Sequence, residues 1–199
     1  MALARSLGRR CVWLRRPHAI EYVRLSFLAV AMLVSVPPGA VADEASVSRE
    51  DQFKAAYLFN FLKFVEWPPS VPSDVLTVCF VGGSGVYEAL GTGLDEKRAG
   101  ARRLVLRRLK PAESAVDCNA LYLEASASRD VRVATVSAAP ILTVSDASAF
   151  ATSGGMIELF ADSNRLRFNI NMGHAQRVGL RISSSLLQLA AAVEKEERP

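Results

Sequence analysis

Cysteine and histidine are both scarce. There are three cysteines (Cys11, Cys79, Cys118) and two histidines (His18, His174) in 199 residues. A structural zinc site needs four soft or imidazole ligands at short spacing, and the spacing here fits no such motif. A metal centre and a two-histidine proton relay are therefore excluded. Long apolar runs are missing too. The strongest run, Leu25–Val36, covers 12 residues, short of the roughly 20 that cross a bilayer. No glycine period, heptad run or repeat of 20 to 50 residues occurs, which excludes collagen, coiled coils and solenoids. With 50% hydrophobic and 22% charged residues, the chain has enough apolar content for a core, so it is not a disordered tail protein. The length suits one globular domain with an appendage.

The appendage is an address. Six arginines (Arg5, Arg9, Arg10, Arg15, Arg16, Arg24) precede the apolar run, against one acid, Glu21. Pro37-Pro38-Gly39 and the small-residue site Ala40-Val41-Ala42 follow it. A positive start, a short apolar stretch and an A-x-A site predict a secretory signal peptide over residues 1–42, cleaved after Ala42. One domain is then expected over 43–199, in the periplasm.

Export changes the charge argument. The whole chain carries +4. Without the six arginines and one acid of residues 1–42, 18 basic and 19 acidic residues remain, a net of −1. The basic excess belongs to the export signal, and nucleic acid is not an expected partner. Cysteine usage agrees. Cys11 leaves with the signal, and Cys79 and Cys118 are left as an even pair in an oxidising compartment. The reading favours a disulfide over two buried thiols. It would close a loop of 39 residues, worth about 4 kcal/mol on the chain-entropy model.

Patterning predicts an α/β fold. Residues 51–67 (DQFKAAYLFNFLKFVEW) read as a helix stopped by Pro68-Pro69. Asn60, Lys63 and Glu66 form its narrow polar stripe, with Lys54 apart from it. Such a helix is buried on more than one side, by its own domain or by a partner. Strands are predicted at 75–81, 103–109, 118–123 and 141–144, with short helices at 86–90, 111–116 and 128–136 between them. That alternation implies a mainly parallel central sheet flanked by helices, a three-layer, Rossmann-like arrangement. The C-terminal third differs. Met156–Ala161 and Arg165–Asn171 flank the polar turn Asp162-Ser163-Asn164, and Leu166, Phe168 and Ile170 alternate with polar residues. This predicts a C-terminal antiparallel hairpin. Helices at 173–180 and 185–193, the latter capped by Ser183 or Ser184, complete the expectation.

Catalytic signals are weak. Gly82-Gly83-Ser84-Gly85 lacks the remaining glycine of a dinucleotide loop and the Lys-Ser/Thr of a P-loop. Ser84 is no nucleophile elbow, because Val86 stands where that motif has glycine. His174 reads as a helix-start residue and Asp146 as a cap. Asp146 and Glu158 have no spacing that pairs them. The residues point to a binding module without cofactor or metal, not to an enzyme.

Several segments together resemble a known family. They are Lys54-Ala55-Ala56-Tyr57-Leu58 through Phe64-Val65-Glu66-Trp67-Pro68, then Leu142-Thr143-Val144-Ser145-Asp146, Gly154-Gly155-Met156-Ile157, Arg167-Phe168-Asn169-Ile170-Asn171, and Gly179-Leu180-Arg181-Ile182-Ser183-Ser184. The combination is similar to the YfiR family of periplasmic proteins. The resemblance implies a small, often dimeric α/β domain without catalysis. It would bind and repress the periplasmic sensor part of an inner-membrane diguanylate cyclase, or another membrane sensor protein. An outer-membrane lipoprotein would relieve the repression. Cys79 and Cys118 match the family's bridge between neighbouring strands; a second family pair, around Gly154-Gly155, is absent here. A structural bridge is thus expected over a redox switch. Partner-binding residues are expected on the hairpin and the segment before it: Phe150, Glu158, Arg165, Arg167, Asn169 and Asn171. The plainer reading of such a polar strand face is solvation. Two alternatives remain beside the regulator. One is a small-molecule binder or accessory protein serving a sensor histidine kinase or transporter, with its crevice at Gly82–Gly85 and Ser145–Ser148. The other is a serine hydrolase built on His174.

Overall fold

In the computed structural model the described residues are 47–71, 74–82, 85–92, 98–110, 113–127 and 138–195. The chain divides into two compact units, Met1–Glu44 and Ala45–Pro199. The first, and with it the leader expected over 1–42, lies outside the described residues.

Ser48 opens the first helix, α1 (Arg49–Phe64). Its hydroxyl accepts the Asp51 N–H at 3.0 Å, satisfying a donor that the helix start leaves free. The helix begins two residues earlier than its apolar pattern suggests and stops three earlier, at Phe64. Tertiary pairing ends it: β1 (Val65–Glu66) runs antiparallel to β9 (Arg181–Ile182). Leu58, Phe61 and Leu62 are buried, and Phe61 meets Phe168 edge-on with ring centroids 5.0 Å apart. Such pairs add about 1 kcal/mol beyond their area.

The remaining elements in chain order are β2 (Val75–Val81), α2 (Gly85–Gly91), β3 (Arg98–Ala99), β4 (Arg102–Leu109), β5 (Ala120–Leu123), β6 (Leu142–Ser145), β7 (Ile157–Asp162), β8 (Arg165–Asn171), α3 (Met172–Arg177), α4 (Ser184–Leu189) and β10 (Ala192–Glu194). Eight strands form one sheet in the order β10-β8-β7-β6-β5-β2-β4-β3. The run β4-β2-β5-β6-β7 is parallel throughout. Antiparallel pairs lie towards the two sides, β3 with β4 and β7 with β8. Ser163 and Asn164 connect β7 to β8 with φ of 48° and 64°, as a two-residue type I′ turn requires.

Strand parity sorts the core. Leu76, Val78 and Phe80 of β2 join one buried cluster with Leu58, Val86, Ala175 and Leu186, so all four described helices contribute to it. Cys79 and Val81 join a second cluster with Leu121, Leu123, Ile141 and Phe150. Among the described residues that second cluster contains no helical residue. The helix expected at 128–136 lies outside the described residues. Of the one expected at 111–116, the described part is irregular. There the Glu113 carboxylate accepts the Lys110 N–H and pairs with Arg107, and Cys118 N–H bonds Ala115 O. These contacts close turns and leave no helical ladder.

The C-terminal helices are shorter than their patterns. α3 ends before Gly179, which has φ +78°. α4, capped by Ser183, stops at Leu189 because Ala192–Glu194 pairs in parallel with β8.

Candidate functional site

Phe53 and Leu189 are apolar side chains left in water, 52% and 69% exposed. They line one groove of about 500 Å³ with Tyr57, Leu166 and Phe168, rimmed by Arg165 and Arg167. Three elements build it. α1 supplies Phe53 and Tyr57, β8 supplies residues 165–168, and α4 ends in Leu189. The Tyr57 hydroxyl donates to Leu166 O at 3.0 Å, and its ring packs edge-on against Phe168, 5.9 Å between centroids. The groove floor is therefore fixed to the core, while its rim offers two guanidinium groups. Arg167 reaches the Asp162 carboxylate only at 3.4 Å, with both side chains about half exposed. A groove with aromatic and aliphatic walls and arginines at its edge has the composition of a protein-docking surface.

The six residues expected to face a partner fall into two groups. Arg165 and Arg167 are exposed and share the groove; Asn169 is half-buried. Phe150 and Glu158 are buried, and with Asn171 they hold a loop in place. The Glu158 carboxylate accepts the N–H groups of Ala149 and Ala151 at 3.1 and 3.2 Å. Asn171 caps α3 by accepting the His174 N–H and donates to Ala151 O, both at 2.9 Å. Phe150 lies against Gly155, where a Cβ would strike its ring. His174, itself buried, is bonded through Nδ1 to Gly154 O. These groups stitch residues 149–155 to the sheet instead of presenting a surface. Glu158 misled the sequence reading because an isolated acid in a strand usually faces water.

Cys79 and Cys118 form a disulfide with Cα atoms 5.9 Å apart. It ties β2 to the turn before β5 inside the second cluster. Beside it, the Trp67 indole N–H donates to Asn119 O at 3.0 Å, and the Asn119 side chain accepts the Thr77 N–H at 2.7 Å.

Lys54 holds α1 to the sheet. Its ammonium donates to Asp146 at 2.6 Å and also reaches Glu50 at 2.7 Å. Burial acts to lower the Lys54 pKa, but the hydrogen bonds to Asp146 and Glu50 outweigh it and hold the pKa above its usual value. Asp146 does not cap its own segment. Its other oxygen accepts the Ala125 N–H at 2.7 Å, and Ser145 Oγ accepts the Ala147 N–H instead. The sequence carried one signal of this link: Lys54 lies off the polar stripe of an otherwise apolar helix. Phe53 and Leu189 gave no signal, since exposure of a single apolar residue is not encoded locally.

A model of the YfiR/HmsC-like family matches residues 51–191. The chain belongs to the YfiR/HmsC-like family. The match takes in α1, the parallel core, β7–β8 and α4. Among the described residues no helix is long and apolar enough to cross a membrane. Two solved structures are distantly similar. A conserved domain protein from Vibrio cholerae O1 biovar El Tor shares 12% identity at a TM-score of 0.49, over 72% of this chain and 60% of that one. The ABC domain in complex with L-Trp from Streptococcus pneumoniae shares 16% identity at a TM-score of 0.46, over 70% and 60%. This YfiR/HmsC-like chain thus spans 60% of the length of each.

Proposed function

We propose that this chain is an exported, non-enzymatic repressor that binds the periplasmic sensor part of an inner-membrane diguanylate cyclase. The family match over 51–191 carries the reading. The groove between α1 and β8 supports it, because it offers Phe53, Leu189, Arg165 and Arg167 to a partner. In this reading residues 1–42 are a leader removed after Ala42, and the mature domain is one three-layer, Rossmann-like unit ending in the β7–β8 hairpin. A second copy of the chain completes a homodimer, and an outer-membrane lipoprotein competes for the repressor. The Cys79–Cys118 bridge is structural.

Repression needs only differential affinity. A groove that binds the inactive conformation of the sensor more tightly than the active one shifts the cyclase towards off by that difference. The exposed apolar pair supplies contact area, and the arginines select an acidic segment. The test is capture of membrane proteins from the detergent-solubilised host envelope by the exported chain. Recovery of a protein with a cytoplasmic cyclase domain, lost in a Phe53→Asp/Arg165→Glu variant, supports the proposal. Recovery of a histidine kinase or transporter instead replaces it with the accessory-protein reading.

A further inference from the structure

The side of the sheet away from β8 carries a charge that the docking groove does not use. Residues 98–110 hold five arginines, one lysine and no acid, so positive charge is concentrated on β3 and β4. Three of the arginines are engaged. Arg107 pairs with Glu113 at 2.6 Å, Arg108 pairs with Glu88, and Arg102 lies over the Trp67 ring. Arg98 and Arg103 are exposed and, among the described residues, have no carboxylate partner. They sit directly opposite each other across β3 and β4. Like charges in that position repel and weaken the pair.

A cavity adjoins them. Arg103 is in register with Val75 of β2, so both side chains leave the same face of the sheet. Val75 lines a cavity of about 390 Å³ at the amino ends of β2, β5 and β6. Val71, Val116 and Ile141 give it apolar walls, and Thr77 and Asn119 give it polar groups. Val116 is 69% exposed, and Cys118 beside it is fixed by its bridge to Cys79. The one carboxylate in the described lining, Asp117, is 80% exposed and faces Arg107 at 4.0 Å. Charges on an outer strand often serve only to keep other chains away. That role needs no adjoining cavity and no two guanidinium groups set against each other. Paired arginines offer N–H donors that match the oxygens of a phosphate. An anion there cancels their repulsion, and the apolar walls suit a hydrocarbon tail.

We propose that this face binds a phosphate-headed amphiphile, with the phosphate on Arg98 and Arg103 and the tail in the cavity beside Val75 and Val116. That chemistry is shared by a free alkyl phosphate and by an anionic phospholipid in a bilayer. β7 and β6 separate β8 from β5 in the sheet, so the face lies apart from the groove. The inference does not depend on the repressor reading.

Isothermal titration calorimetry of the exported protein with n-hexyl phosphate tests it, with hexan-1-ol and inorganic phosphate as controls. Saturable one-to-one heat is expected from hexyl phosphate, about tenfold tighter than inorganic phosphate because the tail buries apolar area. Hexan-1-ol should give none. Arg103→Gln should weaken binding about tenfold by removing charge-assisted bonds. Val116→Ser should weaken it about threefold through lost apolar contact. Both are surface changes that leave the fold intact. Sedimentation with vesicles containing phosphatidylglycerol separates the two sources. Retention above that on pure phosphatidylcholine, lost in Arg103→Gln, assigns the phosphate to a bilayer; hexyl phosphate binding without retention assigns it to a free amphiphile. No saturation by about 20 mM hexyl phosphate together with no retention overturns the proposal, as that limit excludes even millimolar affinity. Equal affinity for inorganic phosphate means an adventitious ion only and overturns it too. So does unchanged affinity in both variants.

Discussion

Asp146→Ala should be among the most destabilising single substitutions outside the apolar core. Asp146 and Lys54 are 15% and 11% exposed at the side chain, and their ion pair measures 2.6 Å. Removing the carboxylate takes from the Lys54 ammonium its closest buried partner. Losing one partner of a buried pair costs about 3–5 kcal/mol. Glu50 still reaches Lys54 from its 68% exposed position, so the lower end, about 3 kcal/mol, is expected. For a domain of this size that is roughly 6–12 °C in Tm. Glu50→Ala should cost no more than about 0.5 kcal/mol, as an exposed i,i+4 pair. The double variant Lys54→Met/Asp146→Leu should recover most of the loss, because neither charge is then left alone. Urea unfolding followed by far-UV circular dichroism measures all three. A loss below about 1 kcal/mol for Asp146→Ala would refute the claim that this pair anchors α1, since that is the scale of a surface bridge.

Three further outcomes follow from the same structure. Reducing the Cys79–Cys118 bridge, which closes 39 residues, should cost about 4 kcal/mol, read as a fall in urea midpoint with dithiothreitol that a Cys79→Ala/Cys118→Ala variant does not show. Phe53→Asp and Leu189→Asp should each change stability by less than about 0.5 kcal/mol, being surface changes, while abolishing partner capture. Burial, followed by repulsion from Asp146, raises the Glu124 pKa. A raised acid pKa contributes stability that is present below its unfolded value and lost as pH climbs to the folded value. Glu124→Gln should therefore stabilise at neutral pH and flatten the pH profile above about 4.5, in thermal melts from pH 4 to 8.

The parallel core was legible because its signals are local. Strands β2, β5 and β6 are continuous β-branched and aliphatic runs, and Arg165–Asn171 alternates strictly, so period alone identifies them. The disulfide followed from counting the cysteines left beyond the expected leader. The short strands β1, β3, β9 and β10 were invisible, since two or three residues carry no period. They exist through pairing with segments distant in sequence, as Glu66 with Arg181. The site divides in the same way. Arg165 and Arg167 lie on the exposed face of β8 that its alternation implies. Phe150, Glu158 and Asn171 were placed outside although each is tied into the 149–155 loop by partners that only the folded chain brings near. Phe53 and Leu189, 136 positions apart in the sequence, share a groove only after α1 and α4 pack beside β8.

The central claim is repression of a membrane diguanylate cyclase, and intracellular cyclic-di-GMP measures it most directly. The account predicts a rise when the gene is deleted in a host expressing the cyclase. Levels should return to baseline with the wild-type chain, and stay high with the stably folded Phe53→Asp/Arg165→Glu variant. Unchanged cyclic-di-GMP on deletion, or full repression by the groove variant, would contradict it.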